Sequence, residues 1–462
     1  MGGVITGGLM RVLVIGAGEV GFHTALRLSR EGQDVVVIDC NAQSLRKVNE
    51  QMDVQTLQGM GSSPSVLKQA GIADTELVVA VTDSDEVNLQ ACRFAHLLSP
   101  ATTRMARIRS EDYLSFIEEV GVKALELDVV INPEREVANQ IIHFLEVPAA
   151  SSVSDFAEAQ VKLLGLRLPP TSDLVGRKMA ELHPQGGPSF LIAAIERSGQ
   201  VIIPGGGDVL LSDDLSYVVV RESEIDKVVD LFGLQADPVK NLVIVGGGAI
   251  GRQVAASARE RDIKIRIIEA DDKRCEDLVD QLDDVIILNG DGTDLNLLEE
   301  ENVGAADVFA AITNDEESNV LIALLGKKMG AKRIIARVAH LGYVPLVSTL
   351  GLDLVVSPRF AAVSAILRQL RRGKVLSVAA LPGDDAEVIE VEALETSSLV
   401  GKPLAKVKMP SGALVAAVIR NGELLIPSGK TVVNPGDRLV IFLLREVVSK
   451  VEKLLTVSLE FF

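Results

Sequence analysis

Two short glycine motifs, each followed at a fixed distance by a carboxylate, are the residues of this sequence best suited to bind a ligand. Gly16-Ala17-Gly18-Glu19-Val20-Gly21 follows an aliphatic run and opens an amphipathic one, and Gly246-Gly247-Gly248-Ala249-Ile250-Gly251 does the same. In such a turn the first glycine allows a tight bend and the second lets the backbone approach a pyrophosphate. The third lets the helix pack close to the strand. The start of the helix then presents free N–H groups and the positive end of its dipole to phosphate. Asp39 and Glu269 each stand 23 residues beyond the first glycine of their motif, at the end of the next aliphatic run. A carboxylate there takes both ribose hydroxyls and repels a 2′-phosphate, which favours NAD(H), ADP or ATP over NADP(H). One glycine motif is a weak signal, but a second with the same acid spacing argues against a purely structural origin for both.

Other candidates cluster at the ends of later strands. Thr82 and Asp83, with Thr313 and Asn314 in the second copy, fall at the carboxyl end of a fourth strand, the side of an open α/β sheet where ligands lie. They either contact ribose or phosphate or cap the following helix. Arg107 and Arg337 end a fifth strand, where a guanidinium meets either a phosphate or a surface carboxylate. The third-strand turn reads Gly290-Asp291-Gly292-Thr293 in one copy and Gly59-Met60-Gly61-Ser62 in the other. Asp291 can accept from a ligand or cap a helix and Met60 can do neither, so the two sites are expected to differ chemically.

The elements that must position these residues are written twice. Val12–Gly21 recurs as Val243–Gly251, Thr82–Asn88 as Thr313–Asn319, and Ala106-Arg107-Ile108 with Tyr113 as Ala336-Arg337-Val338 with Tyr343, at offsets of 230 to 231 residues. In the first copy, strands are predicted near Arg11–Ile15, Val35–Asp39, Val54–Gln58, Leu77–Val81, Thr103–Ile108 and Ala124–Val129, with amphipathic helices between them. Such alternation predicts a doubly wound parallel sheet. Pro133 then opens a helix to about Phe144, and Pro358 one to about Gly373.

Short strands punctuated by Gly and Pro follow, near Leu163–Arg221 and Val375–Leu444. Leu174-Val175-Gly176 matches Leu399-Val400-Gly401, and Leu191–Gly205 matches Leu414–Gly429 as a hairpin turning at Ser-Gly or Asn-Gly. Asp237-Pro238 marks the break between copies. The expected fold class is α/β: two tandem Rossmann-like doubly wound parallel sheets, each followed by a small α+β domain. The expected domains are an extension (1–9), a first Rossmann domain (10–132), a connecting helix (133–150) and a first small domain (151–235). A second Rossmann domain (239–357), connecting helix (358–373) and small domain (374–458) complete the series.

Composition narrows the function. The 462 residues are 47% hydrophobic but only 3% aromatic, so the cores are built of Val, Ile, Leu and Ala, as in sheets buried on both faces. A net charge of −18 opposes a nucleic-acid groove or an anionic lipid surface. No apolar run is long enough to span a bilayer, Met1–Leu9 lacks the basic start of a secretory signal, and a cytoplasmic protein is expected. Cys40, Cys92 and Cys275 lack metal-ligand spacing and read as small buried residues, and no metal site is expected. The rival function is an NAD-dependent dehydrogenase, which needs a held proton-transfer group. His23, His96, His143, His183 and His340 show no carboxylate partner in a recognisable motif, with His23 reading as a helix-surface residue. No catalytic residue and no enzymatic activity are therefore expected.

The duplicated glycine motif with its acid, Gln58-Gly59-Met60-Gly61-Ser62, Gly290-Asp291-Gly292-Thr293, the Ala-Arg-Ile and Ala-Arg-Val turns, and both small hairpin domains resemble the RCK (KTN) family, which regulates potassium conductance. The resemblance covers nearly all of residues 10–455. It implies a homo-oligomeric cytosolic ring, dimer or tetramer, docked on the inner face of the membrane beneath a potassium channel or transporter of the TrkH type. By position it assigns Gly16–Val20, Asp39, Thr82, Asp83 and Arg107 to a first NAD(H) site. Gly246–Ile250, Glu269, Thr313 and Arg337 fall to a second.

Overall fold

A computed structural model describes residues 10–182, 189–235, 237–338, 350–370, 375–381 and 386–455. Met1–Leu9, His183, His340, Tyr343, Gly373 and residues 456–458 lie outside them.

The first strand, β1 (Arg11–Ile15), buries its last four residues in a row, as a strand covered on both faces must. It is followed by α1 (Glu19–Arg30), β2 (Asp34–Asp39), α2 (Ala42–Gln51), β3 (Gln55–Gln58) and α3 (Pro64–Gln69). Next come β4 (Leu77–Ala80), α4 (Asp85–Leu98), β5 (Thr103–Arg107), α5 (Glu111–Val120), β6 (Val129–Ile131) and α6 (Pro133–Glu146). The sheet is parallel, in the order β3-β2-β1-β4-β5-β6, so the chain reverses direction across the sheet between β1 and β4.

A small antiparallel sheet follows, from β7 (Ser152–Phe156), β8 (Val161–Arg167), β9 (Phe190–Arg197), β10 (Gln200–Ile202) and β11 (Leu215–Arg221), with α7 (Ile225–Leu231). The second parallel sheet uses β12 (Asn241–Val245), α8 (Ala249–Arg259), β13 (Lys264–Glu269), α9 (Asp272–Gln281) and β14 (Val285–Asn289). It continues through α10 (Leu295–Glu300), β15 (Val308–Ala311), α11 (Glu316–Met329), β16 (Arg333–Arg337) and β17 (Leu354–Val356). Its order, β14-β13-β12-β15-β16-β17, repeats the first. After α12 (Pro358–Leu370) come β18 (Val375–Ala380), β19 (Ala386–Glu392), β20 (Ala413–Arg420), β21 (Glu423–Leu425), β22 (Arg438–Leu444) and α13 (Val448–Leu455). The duplicated α/β plan is therefore present in full.

Two predicted details are corrected. The sixth strand is Val129–Ile131 rather than Ala124–Val129, because Val122–Leu125 forms a 3-10 turn closed by Glu126 at φ +59°. The N–H of Leu127 returns to the carbonyl of Val122, which ends the turn before the strand begins. The small sheet also starts earlier than the apolar pattern suggests. Ser152–Phe156 is an edge strand, half-exposed along most of its length, so it needs few apolar residues.

The chain divides into two units. In the first, the parallel sheet is joined by α12, which comes from beyond the second sheet in sequence. Ala362 and Ile366 of α12 are fully buried in one core with Val12, Val14, Val20, Ala25 and Val37. In the second unit the two small sheets pack face to face. Phe156, Leu163, Tyr217 and Val219 share a core with Val388, Ala417, Val440 and Phe442, and the Tyr217 and Phe442 rings lie 6.2 Å apart. Glu390 adds a polar tie, accepting from the Ala157 N–H at 3.0 Å.

Ile366→Ala should cost about 2–5 kcal/mol, the range for a buried aliphatic cut to alanine. The loss should fall on the first parallel sheet, read as faster amide exchange in Arg11–Ile15 and Glu19–Arg30. Unchanged protection there would refute the placement of α12 in that core.

Candidate nucleotide-binding sites

The site in each copy is built from the turn after the first strand. Gly16 has φ +105° and Gly246 φ +110°, conformations that side-chain-bearing residues rarely adopt. A methyl group on Gly21 would overlap the Gly16 carbonyl oxygen, and one on Gly251 would overlap that of Gly246, so helix and strand touch there. At Gly18 and Gly248, by contrast, an added Cβ would meet nothing within 4 Å.

Those open glycines are also the N-caps of α1 and α8, and neither offers a side chain to the helix start. Five other helices carry side-chain caps, whereas α3, α5 and α7 have none either. Asn41, Ser84, Asp271, Asp294 and Asp315 accept from first-turn N–H groups of α2, α4, α9, α10 and α11. The first turns of α1 and α8 thus donate to no capping side chain and begin on open glycines at the point where the sheet order reverses. That cradle fits a phosphate.

The acids are tied to the same loops. Asp39 accepts from the N–H of Ala17 at 2.5 Å and from that of Asn41 at 2.7 Å. Glu269 accepts from Gly247 at 2.8 Å and Asp271 at 3.0 Å, and additionally from the Arg274 guanidinium at 3.2 Å. Burial pushes the Glu269 carboxyl up, but the Asp271 and Gly247 amides and Arg274 outweigh it and hold the group below its ordinary value. A carboxylate has about four acceptor positions. Asp39 therefore keeps two for the two hydroxyls of a ribose, whereas Glu269 keeps one.

Thr82 and Thr313 do not cap the next helix; Ser84 and Asp315 do. The two threonines belong to a clamp that no glycine or acid motif marks. Asn88, fully buried, accepts from the Thr82 N–H at 2.9 Å and hydroxyl at 2.7 Å, and donates to the carbonyls of Thr82 and Arg107 at 3.1 and 2.9 Å. Asn319 repeats every bond with Thr313 and Arg337. One carboxamide thus fixes the ends of the fourth and fifth strands together. The signal was present in the sequence, since both repeats of that segment end on this asparagine.

The remaining candidates differ between copies. Arg107 is 13% exposed and meets Asp83, itself 95% exposed, at 3.6 Å. Burial, then the charge of Arg109, pull the Arg107 guanidinium below its ordinary value. Arg337 instead donates to the Thr313 carbonyl at 2.9 Å and to Asn314 at 2.8 Å. Asp291 accepts from both the N–H and hydroxyl of Thr293 at 2.8 Å, bonds that lower its pKa, and it closes a turn rather than capping α10. Met60, its counterpart, is exposed.

Several expectations about other groups change. His23 is half-buried, beside Glu19 at 3.6 Å, because the two stand one helical turn apart; burial lowers its pKa. His143 lies 3.3 Å from Asp155, so two of the histidines do have carboxylate neighbours. Of the three cysteines only Cys92 is buried, its thiol pushed up to about 12 by desolvation; Cys40 is exposed and Cys275 half-buried. Among the described residues no group of His, Cys, Asp or Glu could hold a metal ion, and no helix is long and apolar enough to cross a membrane.

Two tandem Rossmann units with uncapped glycine turns, each followed by a small antiparallel domain, define a double nucleotide-binding fold of the RCK type. Sequence comparison agrees: the TrkA-N domain matches residues 12–133 and 242–358, and the TrkA-C domain residues 163–233 and 388–456. The chain belongs to the TrkA family. It is 36% identical over 460 residues to the Trk system potassium uptake protein TrkA of Azorhizobium caulinodans, covering 98% of this chain and all of the relative. The protein of the same name from Halomonas elongata is also 36% identical over 460 residues, with the same coverage. Among solved structures, the GsuK channel bound to NAD shares the fold at a TM-score of 0.61 and 18% identity, covering 97% of this chain and 80% of that one.

Asn88→Ala should destabilise the first unit by about 2–3 kcal/mol, since it orphans buried groups on two strands. A thermal midpoint equal to that of the parent would contradict the clamp. Glu269 titrates lower when folded than unfolded, so its stabilisation is complete above the ordinary value of 4.5 and is lost as pH falls through the lowered folded value. Glu269→Gln should accordingly flatten the pH dependence of stability below 4.5 in acid unfolding; parallel curves would show that the ties around Glu269 carry no such linkage.

Proposed function

We propose that this chain is the NAD(H)-binding regulatory subunit of a potassium-uptake system, with ATP or ADP as alternative ligands. It acts from the cytoplasmic side, as a homo-oligomer, on a membrane channel or transporter of the TrkH type. The observation that carries this reading is the pair of helices that begin on an open, uncapped glycine beside an acid anchored to the same loop. The names of the relatives support the potassium-uptake role, and the NAD bound by GsuK supports the ligand.

In this reading the first-turn amides of Gly18–Gly21 and Gly248–Gly251 hold phosphates, and Asp39 and Glu269 take ribose hydroxyls. Arg107 and Arg337, at the carboxyl ends of β5 and β16, supply charge to the phosphates, with Thr82, Asp83, Asp291 and Thr313 shaping the rim. Site one, with two acceptor positions left on Asp39, is the better diol site. Ligand chemistry is read as binding, not turnover. A nucleotide shifts the regulator only through its differential affinity for two conformations, and about 1–3 kcal/mol of coupling is enough to control a partner.

Calorimetric titration with NADH, NADPH, ATP and ADP tests this. NADH should bind at two sites and NADPH weakly, with Asp39→Ala and Glu269→Ala each removing one site. Gly18→Ala should fold normally, because its methyl meets no protein atom, yet lose the first site to crowding of the phosphate. Wild-type affinity in Asp39→Ala, or steady oxidation of NADH by the purified chain with any 2-oxo acid, would overturn the assignment.

A further inference from the structure

The two copies of the parallel sheet end on edge strands that have diverged in opposite directions. At the edge of the first sheet, β3 reads Gln-Thr-Leu-Gln, and Asn49 of α2 closes over it by donating to the Thr56 hydroxyl at 3.0 Å. At the edge of the second, β14 reads Val-Ile-Ile-Leu-Asn. Register makes the comparison exact in position: Gln55 pairs with Val36 and Ile286 with Arg266, equivalent places on the neighbouring strands. Asn49 is matched by Val279, which is 61% exposed, and Gln55 by Ile286, which is 57% exposed.

Charge has reversed as well. Arg46, Lys47 and Lys68 flank the first edge, and their counterparts at the second are Glu276, Asp277 and Glu299, all exposed. Asp280 and Asp284 complete the acidic rim, while their counterparts Glu50 and Asp53 leave the first edge of mixed charge. Among the described residues β14 has a strand on one side only, so its other side presents N–H and C=O groups to solvent. An exposed aliphatic edge strand is ordinarily blunted with polar or charged side chains, because it is a template for another strand. The first sheet follows that rule and the second departs from it.

We propose that the β14 edge is a docking site for an extended segment of a protein partner in which apolar residues alternate with Lys or Arg, added as a further strand. Main-chain hydrogen bonds supply affinity in such additions, and alternate side chains supply specificity. Alternate side chains of such a strand point to opposite faces, so its apolar residues cover Ile286 on the face that carries Arg266, and its basic residues meet Glu276, Asp277 and Asp280 of α9 on the other. A second copy of this chain is the poorer occupant, because its edge at β3 carries mixed charge and lacks the apolar surface. The choice of partner rests on the regulatory reading above, since cytoplasmic segments of membrane proteins carry an excess of Lys and Arg.

The test uses the full chain and a fluorescein-labelled peptide of five Val-Lys repeats, read by anisotropy at about 0.15 M salt. Binding is expected, with at least about tenfold loss in Ile286→Lys and none in Gln55→Lys. A Ser-Lys peptide of equal charge should bind at least about tenfold more weakly. Equal binding of the two peptides, or equal binding to Ile286→Lys, would overturn the proposal. So would a lower mass for Ile286→Lys in light scattering, which would make the edge a contact between copies. NADH titration of the same samples separates the two readings: peptide loss with intact nucleotide binding indicts the edge alone, and failed nucleotide binding with peptide capture indicts the regulatory reading alone.

Discussion

The closest constraint in this molecule is the contact between the first helix and the first strand of each parallel sheet. Gly21 sits so near the Gly16 carbonyl that no methyl group fits between them, and Gly251 repeats the arrangement at Gly246. That approach aims the helix axis at the point where the sheet order reverses. It also leaves the capping position to a residue with no side chain, so the amides of the first turn stay free for a ligand. The acid at the end of the second strand then completes the loop by accepting from its second residue. The direction of the helix and its closeness to the strand follow from this one steric fact.

Duplication makes the protein its own comparison. Both copies keep the glycine turn, the acid and the buried asparagine clamp, the features without which the fold or the cradle fails. They differ where either chemistry or surface is at stake: Asp39 against the Arg274-bound Glu269, Asp83 against Asn314, Met60 against Asp291. The second carboxylate is the more completely satisfied before any ligand arrives. Equal affinity at the two sites would therefore require Arg274 to give way in one and nothing comparable in the other.

Much of this was legible in the sequence because it is local. A glycine at positive φ, an acid closing a strand and a run of aliphatics buried on both faces each leave a mark within a few residues. The sequence pattern places β6 too early because the 3-10 turn at Val122–Leu125 carries an apolar pattern that mimics a strand. Strand β7 was missed because an edge strand has little to bury. The role of Asn88 does not show in the repeat itself, since it depends on two carbonyls on different strands. The carboxylate neighbours of His23 and His143 show the same divide. One partner is a helical turn away and could have been read, while the other arrives only through packing.

The position of α12 has a consequence for how the chain is made. The first parallel sheet is synthesised before the second, yet one of its covering helices lies at Pro358–Leu370, beyond the entire second sheet. At about 5–20 residues per second, tens of seconds of translation separate the face from its cover. During that interval the pocket that Ile366 will fill is open to water and to other nascent chains. The duplicated order of domains thus couples completion of the first unit to emergence of the second parallel sheet, and the first core is held unfinished until Pro358–Leu370 has followed that sheet out.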